Sequence, residues 1–197
     1  MSKAEYFVVF ESLLYGLALA HILVSFSKMI MHWKSIQAYW LHLILVGAAT
    51  LGLIQRYYSG YHGHDYQHIG TAWEFFFLIF LPMAAYFLLA YQLFPNKIKK
   101  ANFKEFFWNN YKQIILTFIA AALVLVARNI AIDVYAIKDG RLNGQDYFTS
   151  PQFLVFALAI LCMAGLGGVA VALKKKWMIK VLSIIVFLYT IFIMSTT

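Results

Sequence analysis

Six long apolar stretches constrain this chain more than any other feature of its sequence. A helix needs about 20 mostly apolar residues to cross the hydrocarbon core of a bilayer. The stretches cover residues 6–27, 36–54, 72–95, 113–137, 152–173 and 177–196. Because lipid offers the backbone no water to bond with, segments of this length that enter it must be helical. The pattern predicts an all-α integral membrane bundle of six helices, in one domain over residues 1–197.

Composition supports the same class. Of the 197 residues, 63% are hydrophobic and 12% are charged, whereas soluble domains carry about 25% charged residues. The first apolar stretch is too long for a cleavable signal peptide and contains Glu11, so we interpret it as a retained span. The lipid bilayer is therefore the first partner that the sequence predicts.

Lysines distinguish the two sides of the predicted bundle. The loops after the first, third and fifth spans, with their flanks, hold eleven lysines, against four basic residues outside the spans on the other side. The eleven are Lys28, Lys34, Lys97, Lys99, Lys100, Lys104, Lys112, Lys174, Lys175, Lys176 and Lys180. The four are Lys3, Arg56, Lys138 and Arg141. Since cytoplasmic loops are enriched in Lys and Arg, both termini are predicted on the non-cytoplasmic side. A protein partner or anionic headgroups on the basic cytoplasmic face remain alternatives, and nucleic acid is not favoured.

Five polar residues in or beside the spans are the main candidates for function. Glu11 lies in the first span, Glu74 near the start of the third, and Arg128, Asn129 and Asp133 in the fourth. An ionisable group in lipid must be paired or face a cavity, so Arg128 is predicted to pair with Glu11 or Glu74. Asn129 and Asp133 share a helix face because they are four residues apart. These residues either line an outer polar cavity for an ion, proton or small ligand, or form a buried pair that fixes helix packing.

Two histidines in the first helical hairpin form a second group. His21 and His42 are equally far from its midpoint, so they are predicted at similar depth. Such a pair can hold haem, relay a proton or bind a metal, but it more often hydrogen-bonds across helices. Since the last four spans contain no histidine, packing is favoured and no cofactor is predicted.

A third group of histidines lies in the outer loop "YHGHDYQH". His62, His64 and His68 are weak candidates for a zinc or copper site, because their spacing matches no zinc motif and neighbouring glycines indicate turns. A solvated loop is the favoured interpretation, so no metal site is predicted.

Two further segments have alternative readings. Lysines and aromatic residues alternate loosely over residues 96–110, which suits either an interfacial helix with phenylalanines in lipid or an ordinary basic loop. In the fifth span Ala164, Gly168 and Ala172 repeat at four-residue spacing, which permits close helix approach within the subunit or in a homo-oligomer.

The first half of the chain resembles a group of small bacterial polytopic membrane proteins of similar length. The resemblance lies in "EYFVVFESLLYGLALAHIL" at 5–23, "YWLHLIL" at 39–45 and "WEFFFLIFLPMAAYFLLAYQLFP" at 73–95. The positions that match the group's pattern are Glu5, Tyr6, Gly16, Leu17, Leu19, His21, Trp40, His42, Trp73, Pro82 and Pro95, while Ala18 replaces its second glycine. The resemblance implies a multi-pass protein of the bacterial inner membrane. It implies no activity, since the group has none assigned.

Catalysis is the weaker class of function. The sequence contains no nucleophile elbow, phosphate loop, dinucleotide fingerprint or zinc-protease helix, so no catalytic residue is predicted. The favoured hypothesis is a non-enzymatic membrane protein that acts by assembly or partner contact, as a pore or as an accessory of a CRISPR-type defence system. The alternative is a small transporter or ligand-binding protein that uses the outer polar cavity around Glu11, Glu74, Arg128 and Asp133.

Overall fold

Long helices that alternate in direction make up the structure, a computed structural model that describes residues 3–60, 71–138, 140, 162 and 164–196. The helices are α1 (Lys3–Met31), α2 (Trp40–Gly60), α3 (Ala72–Gln92), α4 (Phe103–Lys138), α5 (Ala164–Leu173) and α6 (Lys176–Thr196). The described residues form no strand. Three helices contain stretches long and apolar enough to cross a membrane: Glu5–Met31, Ala72–Gln92 and Phe103–Tyr135. The prediction of an all-helical chain is confirmed for the described residues, and three of its helices are long and apolar enough to cross a membrane.

The two ends of the bundle differ in charge. The ring centroid of Trp108, near the start of α4, lies 6.4 Å from that of Tyr39, which precedes α2. The Lys176 ammonium at the start of α6 lies 5.3 Å from the same Trp108 ring. Helices α2, α4 and α6 therefore begin at one end, where the lysine-containing connections lie, and we call it the lysine-rich end. At the other end, Phe7 of α1 packs 5.2 Å from Phe75 of α3. Since Glu5, Glu11, Glu74 and Asp133 lie toward this end, we call it the acidic end.

Helix α1 buries one narrow stripe and exposes an apolar face. The stripe recurs every three or four residues, as in helices that pack nearly parallel. Its members are Glu11, Tyr15, Ala18, Ile22, Ser25 and Met29. The opposite face exposes large apolar side chains, among them Leu13 at 59% and Ile30 at 58%. A helix that exposes such a face is suited to lipid rather than water.

Helix α2 is the central helix. Between Leu41 and Leu53 each of its residues is buried or half-buried, because α1, α3, α4 and α6 all contact it. Gly47 lets the Phe187 ring of α6 pack closely against α2, since a Cβ at this position would lie 3.3 Å from that ring. The helix begins at Trp40 rather than at 36 and continues past the predicted end at 54 to Gly60. This extension places Arg56 inside the bundle.

The segment 96–110 is a loop as far as Asn102 and the start of α4 from Phe103. Residues before Phe103 form a loop in which the Gln37 N–H donates to the Ala101 carbonyl at 3.0 Å and the Phe103 N–H to the Gln37 carbonyl at 3.0 Å. Helix α4 then begins, capped by Asn102, whose side-chain oxygen accepts from the Glu105 N–H at 3.1 Å. Phe103 and Phe107 are buried in protein rather than in lipid. With 36 residues, α4 is about 54 Å long and so extends beyond a hydrocarbon core of about 30 Å.

Helix α5 contacts α4 through a glycine. A Cβ on Gly167 would lie 2.5 Å from the Ile119 side chain, whereas Gly165 and Gly168 face open space. Gly167 and Ala170 are buried, and Gly168 and Ala172 are exposed. The buried face of α5 is therefore offset from the predicted stripe of Ala164, Gly168 and Ala172.

Candidate functional site

Arg128 connects three helices in the interior of the bundle. Its side chain is 3% exposed, as is that of Glu11 of α1, and Arg128 Nη2 lies 3.9 Å from Glu11 Oε1. Arg128 Nε also donates a hydrogen bond of 2.7 Å to the Leu78 carbonyl of α3. The guanidinium suits this position because its donors point in several fixed directions and it stays charged. It therefore joins α4 to both α1 and α3.

A proline explains why the Leu78 carbonyl needs a side-chain donor. In an α-helix the carbonyl of residue 78 would accept from the N–H of residue 82, but Pro82 has none. Helix α3 contains a π turn at Phe76–Phe80, in which the Leu81 N–H donates to the Phe76 carbonyl. Such turns absorb local disruption of the helical ladder. Arg128 supplies a hydrogen bond that Pro82 cannot make.

Glu74 has a structural role at the start of α3. Its Oε2 accepts from the Thr71 N–H at 2.9 Å, and its own N–H donates to Thr71 Oγ1 at 3.2 Å, which completes a capping box. Its Oε1 accepts from the Tyr135 hydroxyl of α4 at 2.5 Å. Both carboxylate oxygens therefore hold α3 in place, at its first turn and against α4.

The two other predicted polar residues of α4, Asn129 and Asp133, differ in whether they line a cavity. Asn129 follows Arg128 but points about 100° away around the helix, and it lines a cavity between α2, α3, α4 and α6. Asp133 is half-buried and is not part of that lining. Of the five predicted polar residues, only Asn129 faces this cavity.

The cavity has apolar walls and polar groups toward the acidic end. Its volume is about 210 Å³. Apolar side chains from α2, α3, α4 and α6 form most of the wall, among them Leu45, Leu89, Phe118, Val126 and Val186. The polar lining residues are Gln55, Arg56, Tyr86, Asn129, Ser183, Tyr189 and Thr190. Most of these lie near the carboxyl ends of α2, α4 and α6, which reach the acidic end together.

The polar lining combines one guanidinium with neutral hydroxyl and amide groups. Arg56 contributes a guanidinium whose Nε and Nη2 are enclosed, and it interacts electrostatically with Tyr15 and Tyr86. Ser183 and Thr190 donate to carbonyls four residues back in their own helix, each at 2.8 Å. The buried Tyr189 hydroxyl has no hydrogen-bond partner among the described residues. A buried hydroxyl normally has one, so this group is available to a ligand.

His21 and His42 pack against aromatic rings. His21 stacks on Tyr91 with ring centroids 3.8 Å apart. His42 is fully buried, with rings of Phe94, Phe103, Phe106 and Phe107 around it at 5.2–6.4 Å. The Phe94 ring also lies 6.5 Å from His21, so it packs against both imidazoles. His62, His64 and His68 lie outside the described residues. Within the described ranges no group of three His, Cys, Asp or Glu side chains is arranged to hold a metal.

Sequence reasoning missed Arg56 and its neighbours in the cavity. Because the predicted second span ends at 54, the sequence places Arg56 outside the spans on the outer side. Tyr86 and Tyr189 gave no signal, since tyrosine is common in membrane helices. The capping box of Thr71 and Glu74 was visible in the sequence as Thr-x-x-Glu and would have assigned Glu74 to the helix start.

No family model, curated protein or solved structure matches this chain. The resemblance to a group of small bacterial membrane proteins therefore stays a prediction.

We expect the hydrogen bond from Arg128 to Leu78 to depend on Pro82. Arg128→Lys keeps a cation near Glu11 but removes the Nε donor, so it should lower the free energy of unfolding by about 1–3 kcal/mol. Pro82→Ala restores a backbone N–H opposite the Leu78 carbonyl. In that background the cost of Arg128→Lys should be smaller by about 1 kcal/mol. Unfolding of the four proteins in mixed detergent micelles, followed by circular dichroism, measures both costs.

Pro95→Ala is the matched control, because Pro95 lies beyond the last turn of α3. It should leave the cost of Arg128→Lys unchanged. An equal cost of Arg128→Lys in the wild-type and Pro82→Ala backgrounds would contradict the assignment.

Proposed function

We propose that the protein is a multi-pass protein of the bacterial inner membrane that binds a small molecule in the cavity between α2, α3, α4 and α6. The molecule has an apolar body and an anionic group. In this proposal six helices span the membrane, the lysine-rich end faces the cytoplasm and both termini face away from it. The eleven lysines on one side support this orientation, and the exposed apolar face of α1 supports contact with lipid. The proposal keeps the ligand-binding alternative but changes the residues that carry it.

The observation that carries the proposal is the composition of the cavity. A pocket that binds a small molecule is mostly apolar, with a few polar groups that orient the ligand. Here the walls are aliphatic and aromatic, and Arg56, Asn129 and Tyr189 lie toward one end. This arrangement favours a molecule that enters from the acidic end and keeps its polar group there.

The charge of the polar groups selects the ligand class. Arg56 contributes a guanidinium to the lining, and a carboxylate or phosphate forms strong charge-assisted hydrogen bonds with such a group. The Tyr189 hydroxyl and the Asn129 amide add neutral hydrogen-bonding groups. No carboxylate of the described residues lines the cavity, so a protonated amine would find no anionic partner there and would be repelled by Arg56. The volume of about 210 Å³ is below the range of about 300–1,000 Å³ for drug-sized ligands, which indicates a smaller molecule.

Short carboxylates should stabilise the protein through this cavity. In detergent, hexanoate and benzoate are expected to raise the melting temperature, because a ligand that binds only the folded state stabilises it. Ala122→Phe fills the cavity from α4 and should abolish the shift. Ala120→Phe is the matched control, since Ala120 is exposed on the same helix and is not part of the lining. A thermal denaturation series with each additive measures the effect.

Two further comparisons make the experiment decisive. n-Hexylamine has the same apolar body and the opposite charge, so it should give no shift. Arg56→Gln should reduce the shift given by hexanoate while leaving a folded protein. A shift that is equal in all variants, or one that the amine reproduces, would contradict the proposal.

Assembly into oligomers is the second candidate function, and the outer face of α5 favours it. Gly165 and Gly168 have nothing within 4 Å of a Cβ position, and Leu166, Val169 and Leu173 are 46–54% exposed. Small residues on a lipid-exposed helix let a second backbone approach closely, and van der Waals packing then drives association. In such an assembly α5 would form the contact between subunits, and a pore is one structure that it could build.

Gly168→Leu should disrupt this assembly. Wild-type protein is expected to have the mass of an oligomer in mild detergent, measured by light scattering, and Gly168→Leu should shift it toward the monomer. Gly16→Leu is the control, because Gly16 also has open space at its Cβ position but lies on α1. A wild-type protein that is monomeric both in detergent and in nanodiscs would rule out this function.

A further inference from the structure

A second pocket lies at the lysine-rich end, away from the cavity of the proposed function. It has a volume of about 480 Å³ and is formed where α1 ends and where α3 connects to α4. Its lining consists of Lys28, His32, Lys97, Ile98, Lys99 and Lys100. We call it the lysine pocket. Its position on the opposite end of the bundle makes it independent of ligand binding in the cavity.

The loop that carries three of these lysines has a defined backbone. Ile98 is 8% exposed and anchors the loop in the core, and its carbonyl accepts from the Ala101 N–H at 3.0 Å. The Gln37 N–H donates to the Ala101 carbonyl at 3.0 Å, which ties the loop to the segment before α2. Lys100 has a φ of 62°, a left-handed conformation that non-glycine residues adopt only where the surrounding structure requires it. The lysines are therefore presented from a fixed loop rather than from a free chain.

The lysine pocket carries unbalanced positive charge. Four of its six lining residues are lysines, a fifth is a histidine, and no described carboxylate belongs to the lining. The one described acidic residue at this end, Glu105, lies in the first turn of α4. A concave surface lined by charges of one sign concentrates counter-ions, so the pocket suits an anion.

The pocket also lies at the level where the apolar surface of α1 ends. Ile30 and Met31 are 58% and 76% exposed, and Trp33, which follows, is 54% exposed. Exposed tryptophans concentrate at the boundary between hydrocarbon and headgroups. At this level the anion nearest to the protein is a lipid phosphate, and basic pockets between membrane helices bind such groups.

We propose that the lysine pocket binds the phosphate group of an anionic phospholipid. Lys28 approaches the phosphate from the end of α1, and Lys97, Lys99 and Lys100 approach it from the loop. His32, half-buried between them, adds a ring nitrogen as hydrogen-bond donor. The acyl chains extend along the exposed apolar face of α1.

A lipid-retention measurement tests the proposal. The full-length protein is reconstituted in bilayers of phosphatidylcholine and phosphatidylglycerol, released, and examined by native mass spectrometry for bound lipid. The wild type should retain phosphatidylglycerol in preference to phosphatidylcholine. The variant K28Q/K97Q/K99Q/K100Q should lose this preference, and a titration with short-chain phosphatidylglycerol in detergent should show binding weakened by roughly fivefold for each lysine.

The matched control removes as many charges from the same end. K34Q/K104Q/K174Q/K175Q alters four lysines that do not line the pocket, and it should retain the preference. Circular dichroism and elution volume establish that both variants are folded. Equal loss in both variants would overturn the proposal, because the effect would then come from overall charge. Binding of inorganic phosphate without any preference for the anionic lipid would also overturn the lipid assignment.

Discussion

The hydrogen bond between Arg128 and the Leu78 carbonyl, with Glu11 beside the guanidinium, is the interaction on which the rest of the structure depends. In a membrane no water reaches a carbonyl that its own helix leaves without a donor. Pro82 creates such a carbonyl, and Arg128 satisfies it at 2.7 Å. The charge that this requires is offset by Glu11, 3.9 Å away. Each of the three groups would be costly in lipid alone, so they hold α1, α3 and α4 together.

This arrangement also determines where the cavity forms. Once Arg128 turns one face of α4 toward α1 and α3, the neighbouring face, with Asn129, turns toward α2 and α6. Helix α2 is enclosed by α1, α3, α4 and α6, and Arg56 near its end lines the cavity. The Glu74 capping box and the Tyr135 hydroxyl keep the start of α3 against the end of α4. One face of α4 thus stabilises the bundle, and the adjacent face contributes Asn129 to the polar end of the binding cavity that we propose.

Helix content and the candidate charges could be predicted from the sequence, because composition and the cost of charge in lipid act locally. That cost predicts a partner for Arg128, and in the structure Glu11 lies beside its guanidinium. The third partner, the Leu78 carbonyl, could not be predicted without knowing which side chain faces Pro82. The residues that line the cavity could not be predicted without the positions of the helix ends. Helix α2 ends at Gly60, six residues beyond the predicted end at 54. Which face of α5 is buried likewise depends on the packing of Gly167 against Ile119. The four-residue spacing of small residues does not reveal this contact.

The most direct test of this account is a double-mutant cycle between Glu11 and Arg128, read as the free energy of unfolding in mixed detergent micelles. Removing one member of a buried ion pair leaves the other charge without its partner, at a cost of about 3–5 kcal/mol. The account predicts that Glu11→Gln and Arg128→Met are each destabilising by this order, and that the double variant is more stable than the sum of the two changes implies. Changes that simply add would contradict it, because the two charges would then not depend on each other.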